Sequence, residues 1–155
     1  MSIWFTADHH FGHENIIKFC NRPFDNVQAM NETMIAQWNE VVDKSDTVYH
    51  LGDFSLSGDL NEVAGWLWRL NGEIHILAYP WHHDGRWLRR AGKGFFPPVE
   101  KVVLEPPIVV LDDLVLCHFP FEVWDRKHYG SVHLHGHSHG RLPKMENRVD
   151  VGVDC

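Results

Sequence analysis

A chain of 155 residues falls in the ordinary size range of one domain, and we read residues 1–155 as one. With 44% apolar and 23% charged residues, its composition excludes disorder as the main state, and no apolar run approaches the ~18 residues of a membrane helix. A net charge of −7 argues against a protein whose main task is to coat nucleic-acid backbone.

The first apolar run, Ile3 to Thr6, reads as a buried strand ending at Ala7-Asp8-His9-His10. Val27, Met30, Met34, Trp38 and Val41 then recur at helical steps, with Asn26 as the N-cap. Thr47 to Leu51 is a second strand, stopped by Gly52-Asp53. Asp59 and Glu62 have capping-box spacing, and Leu60, Val63, Leu67 and Leu70 carry that helix to a turn at Asn71-Gly72. Ile74 to Leu77 is a third strand, running into Tyr79-Pro80-Trp81-His82-His83-Asp84. Arg86, Arg89, Arg90 and Lys93 form one face of a short helix, either a solvated face or a phosphate-steering patch. Val99 to Leu104 is a strand, and Ile108 to Leu111 with Leu114 to Cys117 is a hairpin turned at Asp112-Asp113. Val132 to His135 and Val149 to Val153 are the last strands. Strand and helix alternate first and strands dominate later, which predicts a layered α/β fold with helices covering sheets.

The unusual count is 13 histidines against 14 lysines and arginines together. Neutral imidazole is the commonest metal ligand. Histidines and carboxylates beside only three cysteines point to a mixed oxygen and nitrogen metal site, not a thiolate zinc finger. Cys20, Cys117 and Cys155 form no C-x-x-C pair, which implies a reducing compartment, read as the cytoplasm. Met1-Ser2-Ile3-Trp4-Phe5 lacks the pattern of a secretory signal. At the strand ends stand Asp8-x-His10, Gly52-Asp53, His82-His83-Asp84, Cys117-His118 and Gly136-His137-Ser138-His139. Together they could gather two divalent ions about 3.5–4 Å apart, clamping the attacking and leaving oxygens of an in-line displacement.

These five segments, in this order, resemble the calcineurin-like metallophosphoesterases, above all their small phage- and bacterial-type members. The strongest pieces are Asp8 to Ile17, Tyr49 to Phe54 and Leu134 to His139, and the likeness runs from Trp4 to Asp154. The resemblance implies a calcineurin-like sandwich of two β-sheets flanked by helices, with a dinuclear site at one edge. Asp8, His10 and His139 would hold one ion. His118 and His137 would hold the other, with Asp53 bridging. A metal-bridging hydroxide would be the nucleophile, His83 the acid or phosphoryl-oxygen stabiliser, and Asp84 the carboxylate that orients it. The ions would be manganese, zinc, iron or nickel. The substrate would be a phosphoester, a diester in preference to a monoester, such as a nucleotide or nucleic acid. The family pattern Gly-Asn-His is here Trp81-His82-His83. His82 either ligates through nitrogen, favouring zinc, nickel, cobalt or iron over magnesium, or turns away and leaves a weak second site. That departure motivates the rival reading of a non-catalytic scaffold, and the basic helix with exposed tryptophans motivates a nucleic-acid-processing partner. The motif after Gly52-Asp53, Phe54-Ser55-Leu56-Ser57-Gly58, lacks the Asp-Arg-Gly of the related Ser/Thr protein phosphatases, and the missing arginine lowers the protein-phosphatase alternative. Family members also usually extend past the segment that ends here at Cys155.

Other residues have plainer roles. His9 and His50 read as core or supporting histidines, and His133 and His135 as hydrogen-bonding partners. His13 and Asn15 either touch substrate or, for Asn15, start a helix. Cys117 reads as a buried small hydrophobe. Trp38, Trp66 and Trp68 are expected to pack, whereas Trp81 and Trp87 would line the site.

Overall fold

The alternating strands of the first half form a four-stranded parallel sheet in the computed structural model of the chain, which describes residues 1–79, 82–90 and 99–155. Its order is β1 (Ile3–Thr6), β2 (Thr47–His50), β3 (Glu73–Leu77) and β4 (Val102–Glu105). Val48, Ile74 and Ile76 face α1 (Glu14–Phe19), α2 (Val27–Val41), α3 (Leu60–Arg69) and α4 (Gly85–Arg90), and Met30, Trp38, Leu67 and Trp87 share that core. One residue along each strand the side chains turn to the opposite face. There Tyr49, Leu51 and Leu77 meet Leu116 and Leu134 of a second sheet. That sheet holds β5 (Ile108–Leu111), β6 (Leu114–Cys117), β7 (Val132–His135) and β8 (Arg148–Asp150). β5 and β6 form the expected antiparallel hairpin, and β6, β7 and β8 run parallel. The result is the expected α/β architecture of two sheets with helices. No helix among the described residues is long and apolar enough to cross a membrane.

Most local signals act as expected, and the departures have physical reasons. Asn26 caps α2 by accepting from the Ala29 N–H at 2.9 Å. Asp59 caps α3 by accepting from Asn61 N–H, but Glu62 does not close the box. Its carboxylate accepts the Ser57 hydroxyl, and Ser57 Oγ, only two residues away, takes the Asp59 N–H instead. α1 was not visible as periodicity because six residues are too few to show it; it begins at Glu14, so Asn15 does not cap it. Trp38 and Trp66 pack as expected, whereas Trp68 is 59% exposed. The strand expected at Val99 to Leu104 narrows to β4, and that expected at Val149 to Val153 becomes Arg148–Asp150. The second change matters for the site. Gly152 leaves the second sheet and bridges Ala7 of the first, with Val153 N–H donating to the Ala7 carbonyl.

Candidate metal centre

That crossing brings together the carboxyl ends of strands from both sheets, where open α/β sheets build their sites. The loop after β1 carries Asp8 and His10, that after β2 carries Asp53, and those after β6 and β7 carry His118, His137 and His139. The loops are tied to one another through backbone hydrogen bonds: Asp8 N–H to the Gly52 carbonyl, His10 N–H to Asp53, and Gly136 N–H to His118. Asp8, His10, Asp53, His137 and His139 all have positive φ, between 47° and 66°. Such backbone strain is a mark of functional sites.

All seven expected ligands converge. Asp8, His10 and His139 form one group of donor atoms close enough to share an ion; Asp53, His82, His118 and His137 form a second. Asp53 lies between them. Its Oδ2 is 3.5 Å from His10 Nε2 and 3.4 Å from His118 Nε2, and its Oδ1 is 2.5 Å from His82 Nδ1. His82 therefore turns toward the centre. His83 stands at the rim, its side chain 36% exposed and Nε2 4.0 Å from Asp53 Oδ2, with the ring of His13 beside it.

The donor atoms fit a metal. His10 Nε2 and both ring nitrogens of His118 are buried with no hydrogen-bond partner, an arrangement that costs about 1–3 kcal/mol per group when nothing occupies the space between them. Ligands of one tetrahedral ion at ~2.05 Å sit roughly 3.3 Å apart, close to the His10 and His118 separations from Asp53. Burial, despite the Asp53 charge, takes the His10 ring down to about 2, so it is the neutral, ligating form at ordinary pH. Burial would raise Asp53, but His118 and His82 outweigh it and hold this carboxylate well below the usual range. Asp8 is the opposite case: burial lifts it to about 7, against His118 and His139.

Two glycines make room for Asp8. A Cβ on Gly136 would fall 2.7 Å from Asp8 Oδ2, and one on Gly152 2.6 Å from it. Gly52, at φ +117°, presses against the His118 ring, which a Cβ would meet at 3.0 Å. His137 N–H donates to both Asp8 oxygens.

Two expected roles change. Asp84 does not orient His83: its fully buried carboxylate accepts from the N–H groups of Phe54 and Ser55 and from Trp87 Nε1. It ties the loop after β2 to α4. Trp87 is likewise buried in the helix-side core and does not line the site, because its indole N–H is held inward by Asp84. Trp81 and Lys93 lie outside the described residues; Arg86, Arg89 and Arg90 are exposed, and Arg90 donates to the Gly58 carbonyl. Cys117 is buried, and burial pushes its thiol up. His9 and His50 pair in the core at 3.0 Å. Gly52 N–H donates to His50 Nδ1, so the proton of His50 sits on Nε2 and points to His9. Phe121 N–H donates to His133 Nε2, and the His133 Nδ1–H and His135 Nδ1–H donate to the carbonyls of Val115 and Gly136, the structural roles expected of them.

Arg22 and Asp154 were not anticipated. Asp154 accepts from His139 Nδ1 at 2.6 Å and is gripped by Arg22 through both carboxylate oxygens. Cys20, His139 and Asp154 also lie close together, but burial keeps that thiol protonated and Arg22 already neutralises the carboxylate.

No family model matches the chain. An uncharacterized protein of Methanocaldococcus jannaschii is 53% identical over 76 residues, 48% of this chain and 43% of that protein. The match thus spans less than half of the relative. The Gene 66 protein of Mycobacterium phage L5 is 26% identical across 98% of this chain and 86% of its own length. The Gene 66 protein of Mycobacterium phage D29 is 27% identical, across 99% and 88%. Among solved structures, a protein of unknown function from Aquifex aeolicus superposes with a TM-score of 0.64 at 20% identity, covering 99% of this chain and 91% of that one. This likeness extends the two-sheet α/β fold to a second protein, and says nothing of its chemistry.

Proposed function

We propose that the protein is a dinuclear metal-dependent phosphodiesterase with the sandwich fold of the calcineurin-like metallophosphoesterases. The observation that carries this reading is the meeting of two donor groups, Asp8–His10–His139 and Asp53–His82–His118–His137, around the Asp53 carboxylate. Their mixed oxygen and nitrogen donors suit manganese, zinc, iron or nickel, and the His82 imidazole moves the second group away from magnesium. Such ions, when bound, polarise phosphoryl oxygens and make water a competent nucleophile near neutral pH.

The chain's own residues divide the remaining work. Asp53, kept ionised by its histidines, links the two donor groups. His83 at the rim reaches the leaving oxygen with a ring N–H and supplies its proton. Asp84 holds the loop after β2 against α4, so the segment bearing His83 is rigid. Among the described residues, the guanidinium that touches the Asp8 loop, Arg22, is already engaged by Asp154, which suits the monoanion of a diester better than the dianion of a monoester.

Purified without a histidine tag, the protein should carry close to two transition-metal ions per chain. It should hydrolyse bis(p-nitrophenyl) phosphate faster than p-nitrophenyl phosphate, and Asp53→Asn should lose both metal and turnover. One ion or none, with no turnover in manganese, zinc, iron or nickel, refutes the reading.

A further inference from the structure

Arg22 is 7% exposed, in the turn after α1, and every guanidinium nitrogen is engaged. Nε and one terminal nitrogen donate to the two oxygens of Asp154, each at 2.8 Å. That same terminal nitrogen donates to the Asp8 carbonyl at 2.6 Å, and the other to the His9 carbonyl at 2.8 Å. Asp154 Oδ2, so held, faces His139 Nδ1 at 2.6 Å. One side chain thus grips both the backbone that presents Asp8 and the carboxylate that meets His139. Both ends of this clamp lead to the same donor group, that of Asp8, His10 and His139.

We infer that Asp154, locked by Arg22, is a positioning residue that fixes the His139 ring with its proton on Nδ1 and its Nε2 lone pair free for the ion held with Asp8 and His10. This rests on the metal-dependent reading above. The physical reason is general: a carboxylate on the far nitrogen of a ligating imidazole sets its tautomer and orientation and raises its basicity. An unheld carboxylate at this place would rotate, and only a planar fork such as guanidinium can hold it bidentately while serving two carbonyls. No hydrogen bond or ion pair joins Arg22 or Asp154 directly to Asp53, His82, His118 or His137, so the larger effect falls on the ion held with His139.

The test uses the full chain as wild type, Asp154→Asn and Asp154→Ala, with a melting curve of each metal-free protein to establish folding. Long-range proton–nitrogen NMR of histidine-labelled, metal-free protein at alkaline pH, where the ring is neutral, reads the His139 tautomer. Cobalt titration then reads the affinity of each ion separately. In wild type, His139 should be protonated on Nδ1; Asp154→Ala should lose that preference, and Asp154→Asn, which keeps an acceptor oxygen, should partly retain it. One cobalt equivalent should weaken about 10–100-fold in Asp154→Ala while the other changes less. An unaltered tautomer in Asp154→Ala, or equal weakening of both equivalents, overturns the inference while the metal-dependent reading stands. A wild-type chain that takes up no cobalt overturns both.

Discussion

Gly152→Ala subjects the centre to a steric test whose size can be read from the structure. The new Cβ would lie 2.6 Å from Asp8 Oδ2 and 3.1 Å from Asp150 Oδ1, where ordinary contact begins at 3.4 Å. Asp8 cannot easily yield: it is fully buried, and both of its oxygens accept from His137 N–H, at 3.1 and 2.9 Å. Either the carboxylate is displaced, or the segment shifts and breaks the Ala7–Gly152 bridge joining the two sheets. Overpacking of this kind costs about 1–3 kcal/mol. In a chain of this length each kcal/mol lowers the melting temperature by roughly 2–4 °C. Metal–carboxylate bonds tolerate only about ±0.2 Å, so on the proposed reading an Asp8 pushed aside by several tenths of an ångström would no longer ligate an ion.

Gly65→Ala is the matched control, with the opposite sign. It lies inside α3 with nothing within 4 Å of its Cβ direction. Alanine there should stabilise by about 0.8–1 kcal/mol through helix propensity alone. Calorimetric melting of the metal-free proteins, followed by zinc titration, separates the two. A Gly152→Ala protein that melts with wild type and binds zinc equally well would refute the placement of Asp8 against Gly152.

Four further perturbations have clear expected outcomes. Asp84→Ala strands three buried donors, on Phe54, Ser55 and Trp87, and should cost roughly 3 kcal/mol or more. His83→Ala, at the rim, should leave melting nearly unchanged and lower turnover about 10²–10⁴-fold, so equal losses of stability would contradict the separate roles. Burial raises the Asp8 carboxyl from 3.8 to about 7 in the metal-free chain, against the pull of His118 and His139. A folded value above the unfolded one means its stabilising share is fully present below pH 3.8 and lost as pH rises through about 7. Metal-free wild type should therefore lose melting temperature relative to Asp8→Asn across that window, and a constant difference would count against it. His82→Asn replaces imidazole nitrogen by amide oxygen and should move the ratio of manganese to zinc affinity toward manganese. An unchanged ratio would mean that His82 does not ligate.

The strands and most of the donors were legible in the sequence for the same reason: Asp8, His10, Asp53, His118, His137 and His139 stand within four residues of the end of a strand. Asp8 and His10 need only β1, and His137 and His139 only β7, so local pattern places them. Arg22 and Asp154 are 132 residues apart, and neither stands at a recognisable motif. Their pairing exists only because Gly152 crosses from one sheet to the other, which no local pattern states. Asp84 illustrates a different limit. Standing beside His83, it looks like that ring's partner, yet the donors it meets come from Phe54 and Ser55, thirty and twenty-nine positions away. Adjacency along the chain ranks low against three well-placed N–H groups around one buried carboxylate.

The backbone at the donors gives a last argument that metal and fold are coupled. Left-handed conformation costs an ordinary residue about 1–2 kcal/mol and asparagine or aspartate less. Among the donors, His10, His137 and His139 adopt it, and histidine enters this region more readily than most residues. Their sum, at most roughly 3–6 kcal/mol, is set against the 5–15 kcal/mol that stabilises a typical domain. The unpartnered nitrogens of His10 and His118 add to the same side. Ring contacts of His10 with His139 and of His137 with His118 and Phe119 offset part of these costs. Ligation is the interaction that would offset the rest, satisfying the orphan nitrogens and holding the strained loops in place. The metal-free chain should accordingly open first at these four loops, with amide exchange fastest at residues 8–10, 53, 118 and 137–139 relative to β2 and β3, and metal should slow exchange there more than anywhere else.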